Sequence, residues 1–431
     1  MRQMKDSGIE WIGEIPENWN HGRTKNYFAN HKIVAGDKAD SYERLALTLN
    51  GVIKRSKEDS NGLQPEAFNG YQVLRENELV FKLIDLENVS TSRVGLSPYT
   101  GIVSPAYIIL EGKKDTNMKY GEYFFLSMWQ REVFNHMGDD GVRSSLNASD
   151  LLNIPFLFPP LPEQQAISAH LDRQCAHIDN IIEKTKASIE EYKKLRQAVI
   201  TQAVTKGVRG DRPMKDSGIE WIGEIPEEWC DQKLKTVLSM PVIDGPHESP
   251  ELYDEGIPYI SATAIENNKI NFDLMRGYIS EEYCSECDKR YKPQINDILL
   301  IKLGASTGQV AIVETDRRFN IWVPLAAIRC NKKAFPKFIY YGFQAEYLIR
   351  QMELSWTFGT QQTLGVKTVE QLKFSLPTFE EQKEIATYLD KKCTEIDTLI
   401  TKKETFLTEL EAYKKSLIYE YVTGKKEVPQ A

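Results

Sequence analysis

The feature that most constrains this sequence is an internal repeat. Residues 4–17, MKDSGIEWIGEIPE, recur without a change at 214–227, and Trp19 recurs as Trp229. A repeat of this length indicates one unit written twice, and a doubled chain can present two similar surfaces related by an approximate two-fold axis. Such a chain suits a ligand that is itself pseudo-symmetric. Duplex DNA is an obvious candidate, but the repeat alone does not establish it.

Length and composition favour a multidomain protein. A chain of 431 residues predicts two or three domains with separate cores. No apolar run approaches the roughly 18 residues that a membrane-spanning helix needs, and the N-terminus lacks the basic-then-apolar pattern of a signal peptide. We therefore expect a cytoplasmic protein with no membrane partner.

Cysteine usage is consistent with a reducing compartment. Cys284 and Cys287 are the only closely spaced pair, and neither a second pair nor a nearby histidine completes a set of four zinc ligands. The spacing therefore predicts no metal site.

The overall charge is unfavourable for binding to nucleic acid. The formal net charge is −8, whereas neutralising phosphates requires Lys and Arg side chains. A nucleic-acid-binding chain of this composition must either concentrate its basic residues on one face or share the contact with a partner subunit.

Each half ends in a long segment with a helical pattern. The first follows Pro162 and runs to about Lys206 without a proline or glycine, and the second follows Pro377 and runs to about Thr423. Matched stripes alternate by four and three residues, beginning at Leu171, Cys175 and Ile178 in the first and at Leu389, Cys393 and Ile396 in the second. A period of 3.5 with charged outer faces is typical of a coiled coil.

Two such stripes in one chain most simply bury each other. The alternative, in which each helix binds a different protein, would leave two apolar seams exposed in the free chain. We predict an antiparallel intramolecular pair. The predicted organisation is a first globular domain at 1–160, a central long helix at 161–207, a second globular domain at 208–377 and a C-terminal long helix at 378–431.

The globular regions predict an α+β fold built twice. Buried strands are expected at 78–84 and 106–110 in the first region, and at 297–303, 309–313 and 325–328 in the second. Outside the shared frame the halves have diverged, since residues 47–71 have no evident counterpart in 242–279. A common scaffold with different loops suggests similar folds that recognise different things.

Taken together, these features resemble the specificity subunit of a type I restriction–modification system. The resemblance covers nearly the whole chain and rests on duplicated motifs in a duplicated order. They are IEWIGEIP at the start of each half, GIVSPAY at 101–107, GASTG at 304–308, and the helix entries PLPEQQ at 160–165 and LPTFEEQ at 376–382.

The resemblance implies two target-recognition domains, each of which reads one half of an interrupted site in double-stranded DNA. The paired helices are then expected to set the spacing and to dock two methylation subunits, which carry S-adenosylmethionine and methylate adenine. Separate motor–nuclease subunits join for cleavage. No cofactor is expected in this chain.

Matched polar segments close the two globular regions. Residues 141–146 (GVRSSL) correspond to residues 359–364 (GTQQTL). Arg and Gln side chains make bidentate contacts to guanine and adenine edges, and Ser and Thr hydroxyls bind bases or phosphates. A polar surface turn capped by a buried leucine would have the same pattern. The predicted DNA contacts are Arg143, Ser144, Ser145, Gln361, Gln362 and Thr363.

Two further segments carry predicted DNA contacts. Residues 304–308 (GASTG) lie between predicted strands, and a glycine-containing loop can present N–H groups to phosphate, although a tight hairpin has the same composition and the ending of a nucleotide-binding P-loop is absent. Residues 54–57 (KRSK) either grip phosphate or form a solvated charge run. The candidates are Lys54, Arg55 and Lys57, then Lys82 and Arg93, and then Lys302, Ser306 and Thr307.

Matched polar residues on the long helices are candidates for partner docking, with ordinary helix solvation as the alternative. They are Glu163, Gln164, Asp172 and Asp179 on the first helix and Glu381, Gln382, Asp390 and Asp397 on the second. The duplicated tryptophans, Trp11, Trp19, Trp221 and Trp229, are expected to anchor the scaffold, because residues that read sequence should differ between the halves.

Catalytic motifs are missing from the sequence. We find no Asn/Asp-Pro-Pro-Tyr motif for adenine methylation, no glycine-rich cofactor motif and no helicase P-loop. The expectation is a non-catalytic chain. The alternatives are a self-contained DNA methyltransferase or endonuclease with unrecognised motifs, and a coiled-coil interaction protein without a DNA role.

Overall fold

The computed structural model describes residues 2–59, 67–84, 86, 92–136, 145–219, 221–358 and 362–429, apart from the side chains of 357 and 358. The chain divides into two units. Unit 1 consists of Met1–Thr185 and Thr405–Ala431, and unit 2 consists of Lys186–Glu404. Both long helices cross this division, so each unit contains one globular region and a segment of each helix.

Unit 1 combines short strands with two short helices before the first long one. The strands are β1 Met4–Asp6, β2 Glu14–Pro16, β3 Asn20–Arg23, β4 Phe28–His31, β5 Arg44–Thr48, β6 Gly51–Arg55, β7 Gln72–Leu74, β8 Leu79–Phe81, β9 Val94–Leu96, β10 Gly101–Val103, β11 Ile108–Gly112 and β12 Pro155–Phe158. The helices are α1 Met118–Gln130, α2 Ala148–Asn153 and α3 Leu161–Lys206, which continues into unit 2.

Unit 2 has a similar order of elements. The strands are β13 Met214–Asp216, β14 Glu224–Pro226, β15 Cys230–Lys233, β16 Ile243–Asp244, β17 Ile257–Ile260, β18 Ile265–Glu266, β19 Lys269–Ile270, β20 Gly277–Ile279, β21 Ile298–Ile301, β22 Val310–Ile312, β23 Asn320–Ile321, β24 Leu325–Ile328, β25 Thr357–Phe358, β26 Gln362–Thr363 and β27 Lys373–Leu376. The helices are α4 Glu281–Arg290, α5 Pro336–Gln344, α6 Glu346–Ser355, α7 Val366–Val369 and α8 Phe379–Val422, which continues into unit 1.

A four-stranded antiparallel sheet is common to both units. Its order is β4-β11-β8-β9 in unit 1 and β16-β24-β21-β22 in unit 2. The central strands β8 and β21 are buried along their whole length, as their apolar sequences predict. The strands expected from sequence are therefore confirmed in place, with β8, β11, β21 and β22 bounded differently from the prediction.

In each unit, strands from the shared frame and from the divergent segment pair in addition to the common sheet. In unit 1 they form a second sheet in the order β6-β5-β10-β7, and in unit 2 a sheet in the order β20-β17-β23. Both second sheets contain a parallel pair, β5 with β10 in unit 1 and β17 with β23 in unit 2, and the divergent segments contribute β6 to the first sheet and β17 and β20 to the second.

The verbatim repeat forms the same hairpin in each unit. Strands β1 and β2 pair antiparallel, as do β13 and β14. Gly13 and Gly223 both have φ near +70° (71° and 69°), a left-handed conformation that favours glycine. Each accepts a hydrogen bond on its carbonyl from a serine amide, at 3.1 Å in unit 1 and 2.9 Å in unit 2. The identical letters therefore encode identical backbone geometry.

The two long helices pair antiparallel within each unit. In unit 1 the ring of His170 lies 4.6 Å from that of Tyr421, and Asp179 lies 2.6 Å from Lys414. Position therefore rises along α3 as it falls along α8. In unit 2, Arg196 binds Asp397 at 2.9 Å.

The predicted apolar stripe forms the seam of this pair. Its members Leu171, Cys175 and Ile178 are buried in unit 1, and the matched Leu389, Cys393 and Ile396 are buried in unit 2. The antiparallel pairing predicted from the repeat is thus confirmed within each unit. None of the helices in the described part of the chain is both long and apolar enough to cross a membrane.

Candidate nucleic-acid interface

In unit 2 the two segments predicted to face DNA lie side by side. The amide of Gly304 donates to the carbonyl of Gln362 at 3.1 Å, and the amide of Leu364 donates to the carbonyl of Lys302 at 2.8 Å. Leu303 and Thr363 form a β-bridge between these hydrogen bonds. The loop that follows β21 is therefore joined to β26, although the two are distant in the sequence.

Unit 1 has the corresponding junction at the end of β8. The amide of Leu146 donates to the carbonyl of Leu83 at 2.9 Å, and Ile84 forms a β-bridge with Ser145. Ser145 is exposed, and Ile84 is exposed by 40%. We call these two matched places the strand-end junctions: residues 82–84 with 145–146 in unit 1, and residues 302–304 with 362–364 in unit 2.

Part of the predicted interface lies outside the described residues. Residues 137–144 include Arg143 and Ser144, and residues 359–361 include Gln361. Contact of these three side chains with DNA remains a prediction.

The loop after β21 divides its side chains between solvent and interior. Gly304 has φ +101°, and the space where a Cβ would project is open. Ser306 is exposed, as a DNA contact requires. Thr307 is buried, and its hydroxyl donates to the carbonyl of Gly304 at 2.7 Å. Contrary to the expectation that it contacts DNA, Thr307 is not exposed to a ligand in this structure, because its hydroxyl closes the loop.

The structure also differs from the prediction that Lys302 contacts DNA. Its side chain is only 10% exposed, and its ammonium binds the carboxylate of Asp244 at 2.9 Å. Arg290 and His247 bind the same carboxylate, at 2.6 and 3.2 Å. Burial alone would raise the pKa of Asp244, but Lys302, His247 and Arg290 hold it below its ordinary value overall. Lys302 therefore neutralises a carboxylate inside unit 2 and is not a surface charge available to phosphate.

The basic run 54–57, at the end of β6, has mostly intramolecular partners. The ammonium of Lys57 donates to the carbonyls of Ala39 and Asp40, at 2.9 and 3.1 Å. Arg55 pairs with Asp59 at 2.8 Å. Lys54 is half-exposed and lies 3.4 Å from an exposed glutamate, a contact weak enough to exchange for phosphate. Lys54 thus remains the most available of the three predicted cations.

In unit 1, Arg93 corrects the prediction made from sequence. Its side chain is wholly buried, and its guanidinium donates to the carbonyl of Ile84 at 3.2 Å. Arg93 therefore supports the backbone of the strand-end junction from inside and cannot reach DNA in this structure. Lys82, the first residue of the junction, is half-buried.

Four of the residues predicted to dock partners instead hold the frame together. Glu163 accepts hydrogen bonds from Trp19 and Arg2, at 3.0 Å each. Its counterpart Glu381 is buried and accepts from Trp229 at 3.3 Å and from an arginine at 2.7 Å. These contacts explain why the repeat keeps its second tryptophan.

The glutamine side chains that follow these glutamates also have partners inside the protein. Gln164 accepts from the amide of Asn117 at 2.9 Å and donates to the carbonyl of Pro159 at 2.8 Å. Gln382 accepts from the amide of Phe335 at 2.7 Å and donates to the carbonyl of Pro377 at 3.0 Å. Both side chains are buried. Gln164, Glu381 and Gln382 are therefore not available to a partner in this structure, because their polar atoms satisfy backbone, arginine or tryptophan groups inside the protein.

The four aspartates keep an exposed side. Asp172 accepts from Tyr123, and Asp390 accepts from Tyr341, both at 2.8 Å. Burial raises the pKa of both tyrosines, so each hydroxyl keeps its proton. Asp172, Asp179, Asp390 and Asp397 are each 40 to 56% exposed. They remain candidates for partner docking, although each already has an intramolecular contact.

The scaffold interpretation of the tryptophans holds for two of them. Trp19 and Trp229 are fully buried, whereas Trp221 is 41% exposed and does not anchor its unit. Trp11 is half-buried, and its ring lies 6.0 Å from that of Phe124.

Two cationic groups in unit 2 were missed by the sequence reasoning. The guanidinium of Arg276 lies 3.3 Å from the centre of the Trp322 ring, and that of Arg317 lies 4.6 Å from the centre of the Phe272 ring. Arg stacked on an aromatic ring can contact bases as well as phosphates. Arg276 and Phe272 lie in the divergent segment 242–279, but Trp322 and Arg317 do not, so each pairing depends on residues that are distant in the sequence.

Comparison with known proteins agrees with the duplicated fold of this chain. The family described as type I restriction modification DNA specificity domain matches residues 33–191 and 226–409. The chain is 26% identical to the putative type I restriction enzyme MjaX specificity subunit of Methanocaldococcus jannaschii, over 96% of this chain and 95% of that protein. It is 27% identical to the EcoBI specificity subunit of Escherichia coli, over 62% of this chain and 57% of that protein.

Solved structures show the same fold. A chain from a structure of a type I restriction–modification system aligns with a TM-score of 0.70 at 15% identity, covering 96% of this chain and 99% of that one. The HsdS subunit of Thermoanaerobacter tengcongensis aligns with a TM-score of 0.51 at 14% identity, covering 98% of this chain and all of that one (100%).

The duplicated α+β units and their helix pairs define a class of proteins with two domains of similar fold whose surfaces carry different side chains. Both family matches fall on these units, one on each half of the chain. The chain belongs to the family of type I restriction–modification DNA specificity proteins, as the duplicated motifs predicted.

Proposed function

We propose that this chain reads an interrupted DNA sequence, that each unit reads one half of it, and that the chain carries no catalytic site. One observation carries the proposal. The two strand-end junctions share their backbone pairing and differ in their side chains, with Ile84 and Ser145 in unit 1 where unit 2 has Leu303 and Thr363. Different side chains on the same framework are what two readers of unlike half-sites require.

The chemistry of the exposed groups fits base recognition better than tight phosphate binding. Ser145, Ser306 and the half-buried Gln362 and Thr363 offer hydroxyls and an amide to base edges. Most of the predicted cations are paired, and the net charge is −8. We therefore expect the isolated chain to bind DNA weakly and a partner to supply much of the phosphate contact.

The antiparallel helices are proposed to set the distance between half-sites and to dock two methylation subunits that carry S-adenosylmethionine. Modules that read one face of a duplex lie about 34 Å apart, one helical turn. A stiff pair of helices suits such a requirement, and the ion pairs between α3 and α8 in each unit stiffen it. Motor–nuclease subunits would join this assembly for cleavage.

Mapping of adenine methylation tests the reading function. The chain is co-expressed with its cognate methylation subunit, and residues 20–157 are replaced by the equivalent region of another specificity protein. One half of the methylated motif should change and the other should stay. If both halves change, the units do not read independently. If no defined motif appears with the original chain, a coiled-coil interaction protein without a DNA role becomes the better description.

The absence of catalysis has a separate test. The purified chain is incubated with DNA and labelled S-adenosylmethionine, with and without the methylation subunit. Incorporation should require that subunit. Incorporation by the chain alone would support a self-contained methyltransferase.

A further inference from the structure

Three side chains in unit 1 form a cluster with the chemistry of metal ligands. His31 lies in β4, Glu111 lies in β11, and Glu78 directly precedes β8. One ligand atom from each lies within 4.8 Å of the other two. The three strands are neighbours in the common sheet, so the cluster joins three consecutive strands at one edge.

The cluster combines a buried carboxylate with an incompletely satisfied imidazole. Nε2 of His31 lies 2.8 Å from Glu78, which is only 5% exposed. Nδ1 of His31 is buried and finds no hydrogen-bond partner among the described residues. Glu78 also accepts a hydrogen bond from the backbone amide of Arg75 at 2.7 Å, and the guanidinium of Arg75 lies 3.9 Å away on a side chain that is 54% exposed. Two carboxylates therefore face one histidine with little compensating positive charge.

Unit 2 has a different pair of side chains at the same position of the common sheet. The pairing of the central strands matches Glu78 with Asp297 and Glu111 with Arg329. In unit 2 the guanidinium of Arg329 binds both oxygens of the buried Asp297, at 2.7 Å each. Unit 2 thus places a cation where unit 1 has a second carboxylate. A buried carboxylate without a paired cation is costly.

We propose that His31, Glu78 and Glu111 bind a divalent transition-metal ion, represented by Zn²⁺, which takes the place of the guanidinium of Arg329. Imidazole nitrogen and carboxylate oxygen are both zinc ligands, and three protein ligands leave a fourth position to water. Tetrahedral ligands about 2.1 Å from zinc are about 3.4 Å apart, so the widest separation in the cluster must shorten by up to about 1.4 Å and the 2.8 Å contact between His31 and Glu78 must open slightly. Glu111 is exposed, which allows its side chain to make this movement.

The ion is structural in this arrangement. Glu78 lies at the start of β8, whereas the strand-end junction follows the other end of that strand. The ion therefore connects β4, β8 and β11 at the end of the sheet that is opposite to the candidate interface. This inference does not depend on the proposed function.

Zinc retention and thermal stability together provide the test. The full-length chain is stripped with chelator, dialysed against Zn²⁺, and analysed for bound metal and for melting temperature. Six cysteines contribute background binding, so the comparison is between variants. The original chain should retain one zinc more per molecule than the Glu111→Gln variant, and zinc should raise its melting temperature by several degrees. The Glu76→Gln variant, which changes an exposed carboxylate outside the cluster, should behave as the original chain.

A second variant separates loss of metal from loss of folding. The Glu111→Arg variant reproduces the arrangement of unit 2, so it should lose the zinc and yet melt, without metal, at or above the temperature of the original chain. Equal zinc retention by the original chain and the Glu111→Gln variant would overturn the proposal, and so would zinc retention by the Glu111→Arg variant.

Discussion

The carboxylate of Asp179 in α3 binds the ammonium of Lys414 in α8 through both oxygens, at 2.6 and 2.7 Å. The matched pair in unit 2 is Arg196 with Asp397, at 2.9 Å, so there the cation lies on α3 and the carboxylate on α8. The carboxylate and the cation have therefore changed helices between the two units. An antiparallel pair of repeated helices requires this reversal, because α3 in one unit occupies the position that α8 occupies in the other. The pairs specify the register of the two helices in each unit.

Reversal of one charge at this pair should weaken the helix pairing in unit 1. The Asp179→Lys variant places two cations together, and the double variant Asp179→Lys, Lys414→Asp restores an ion pair. Because the side chains are 56% and 27% exposed, we expect the neutral Asp179→Asn variant to lose only about 0.5 kcal/mol. Hydrogen exchange of residues 405–422 measures the effect. A double variant no more protected than Asp179→Lys alone would contradict the prediction.

Loss of the buried carboxylate in unit 2 should cost far more. Glu381 is 1% exposed and binds Arg212 at 2.7 Å, so the Glu381→Ala variant leaves an arginine that is only 12% exposed without its main partner. We expect the unfolding free energy of unit 2 to fall by about 3 kcal/mol. The control is Glu228→Ala, which removes the exposed partner of the same arginine and should cost less than about 1 kcal/mol. Equal losses in urea unfolding would mean that burial is not the decisive factor.

Replacement of a reading side chain should relax one position of one half-site. The Gln362→Ala variant removes an amide at the strand-end junction of unit 2 while the backbone pairing of β26 remains. Loss of a good base contact costs about 1–3 kcal/mol of discrimination. Methylation mapping with the cognate partner should show one degenerate position, whereas the exposed Gln371 changed to alanine should leave the motif intact. An unchanged motif for Gln362→Ala would remove this residue from the reading surface.

The cluster around Asp244 predicts a specific pH dependence. Burial would raise the pKa of Asp244, but Lys302, His247 and Arg290 lower it overall. A carboxyl whose folded-state pKa is depressed stabilises the protein above its unfolded-state pKa of about 3.9, and that contribution is lost as the pH falls through the lower folded-state pKa. Each unit of depression contributes about 1.4 kcal/mol.

The Asp244→Asn variant should therefore unfold at lower urea concentration than the original chain near neutral pH, and the difference should shrink as the pH falls below about 4. The Asp254→Asn variant, at an exposed position, should show no such difference. A gap between Asp244→Asn and the original chain that is independent of pH would contradict the assignment.

Lengthening both long helices by one heptad should lengthen the spacer of the recognised motif. Seven residues add about 10.5 Å to a helix and preserve a seam with a period of 3.5. Since base pairs are about 3.4 Å apart, the spacer should grow by about three base pairs while both half-sites stay the same. An unchanged spacer would refute the ruler role of the helices, and lengthening of α3 alone should abolish methylation.

Much of the scaffold could be predicted because its signals are local or duplicated. The prolines before Leu161 and Phe379 predicted where the helices begin, and the alternating stripe predicted which face is buried. The apolar runs predicted β8 and β21 because a strand buried on both faces is continuously apolar. Identity between the copies correctly marked Trp19 and Trp229 as parts of the frame.

The sequence alone determined that two similar units exist and that antiparallel helices accompany them, and it predicts that recognition belongs where the copies differ. Only the tertiary structure decided which polar side chains are available to a ligand. Arg93, Lys302 and Thr307 are residue types that commonly contact DNA, yet each binds a carbonyl or a carboxylate inside its unit. Hydrogen bonds and ion pairs depend on which strands become neighbours, and that proximity is set by packing between residues far apart in the chain.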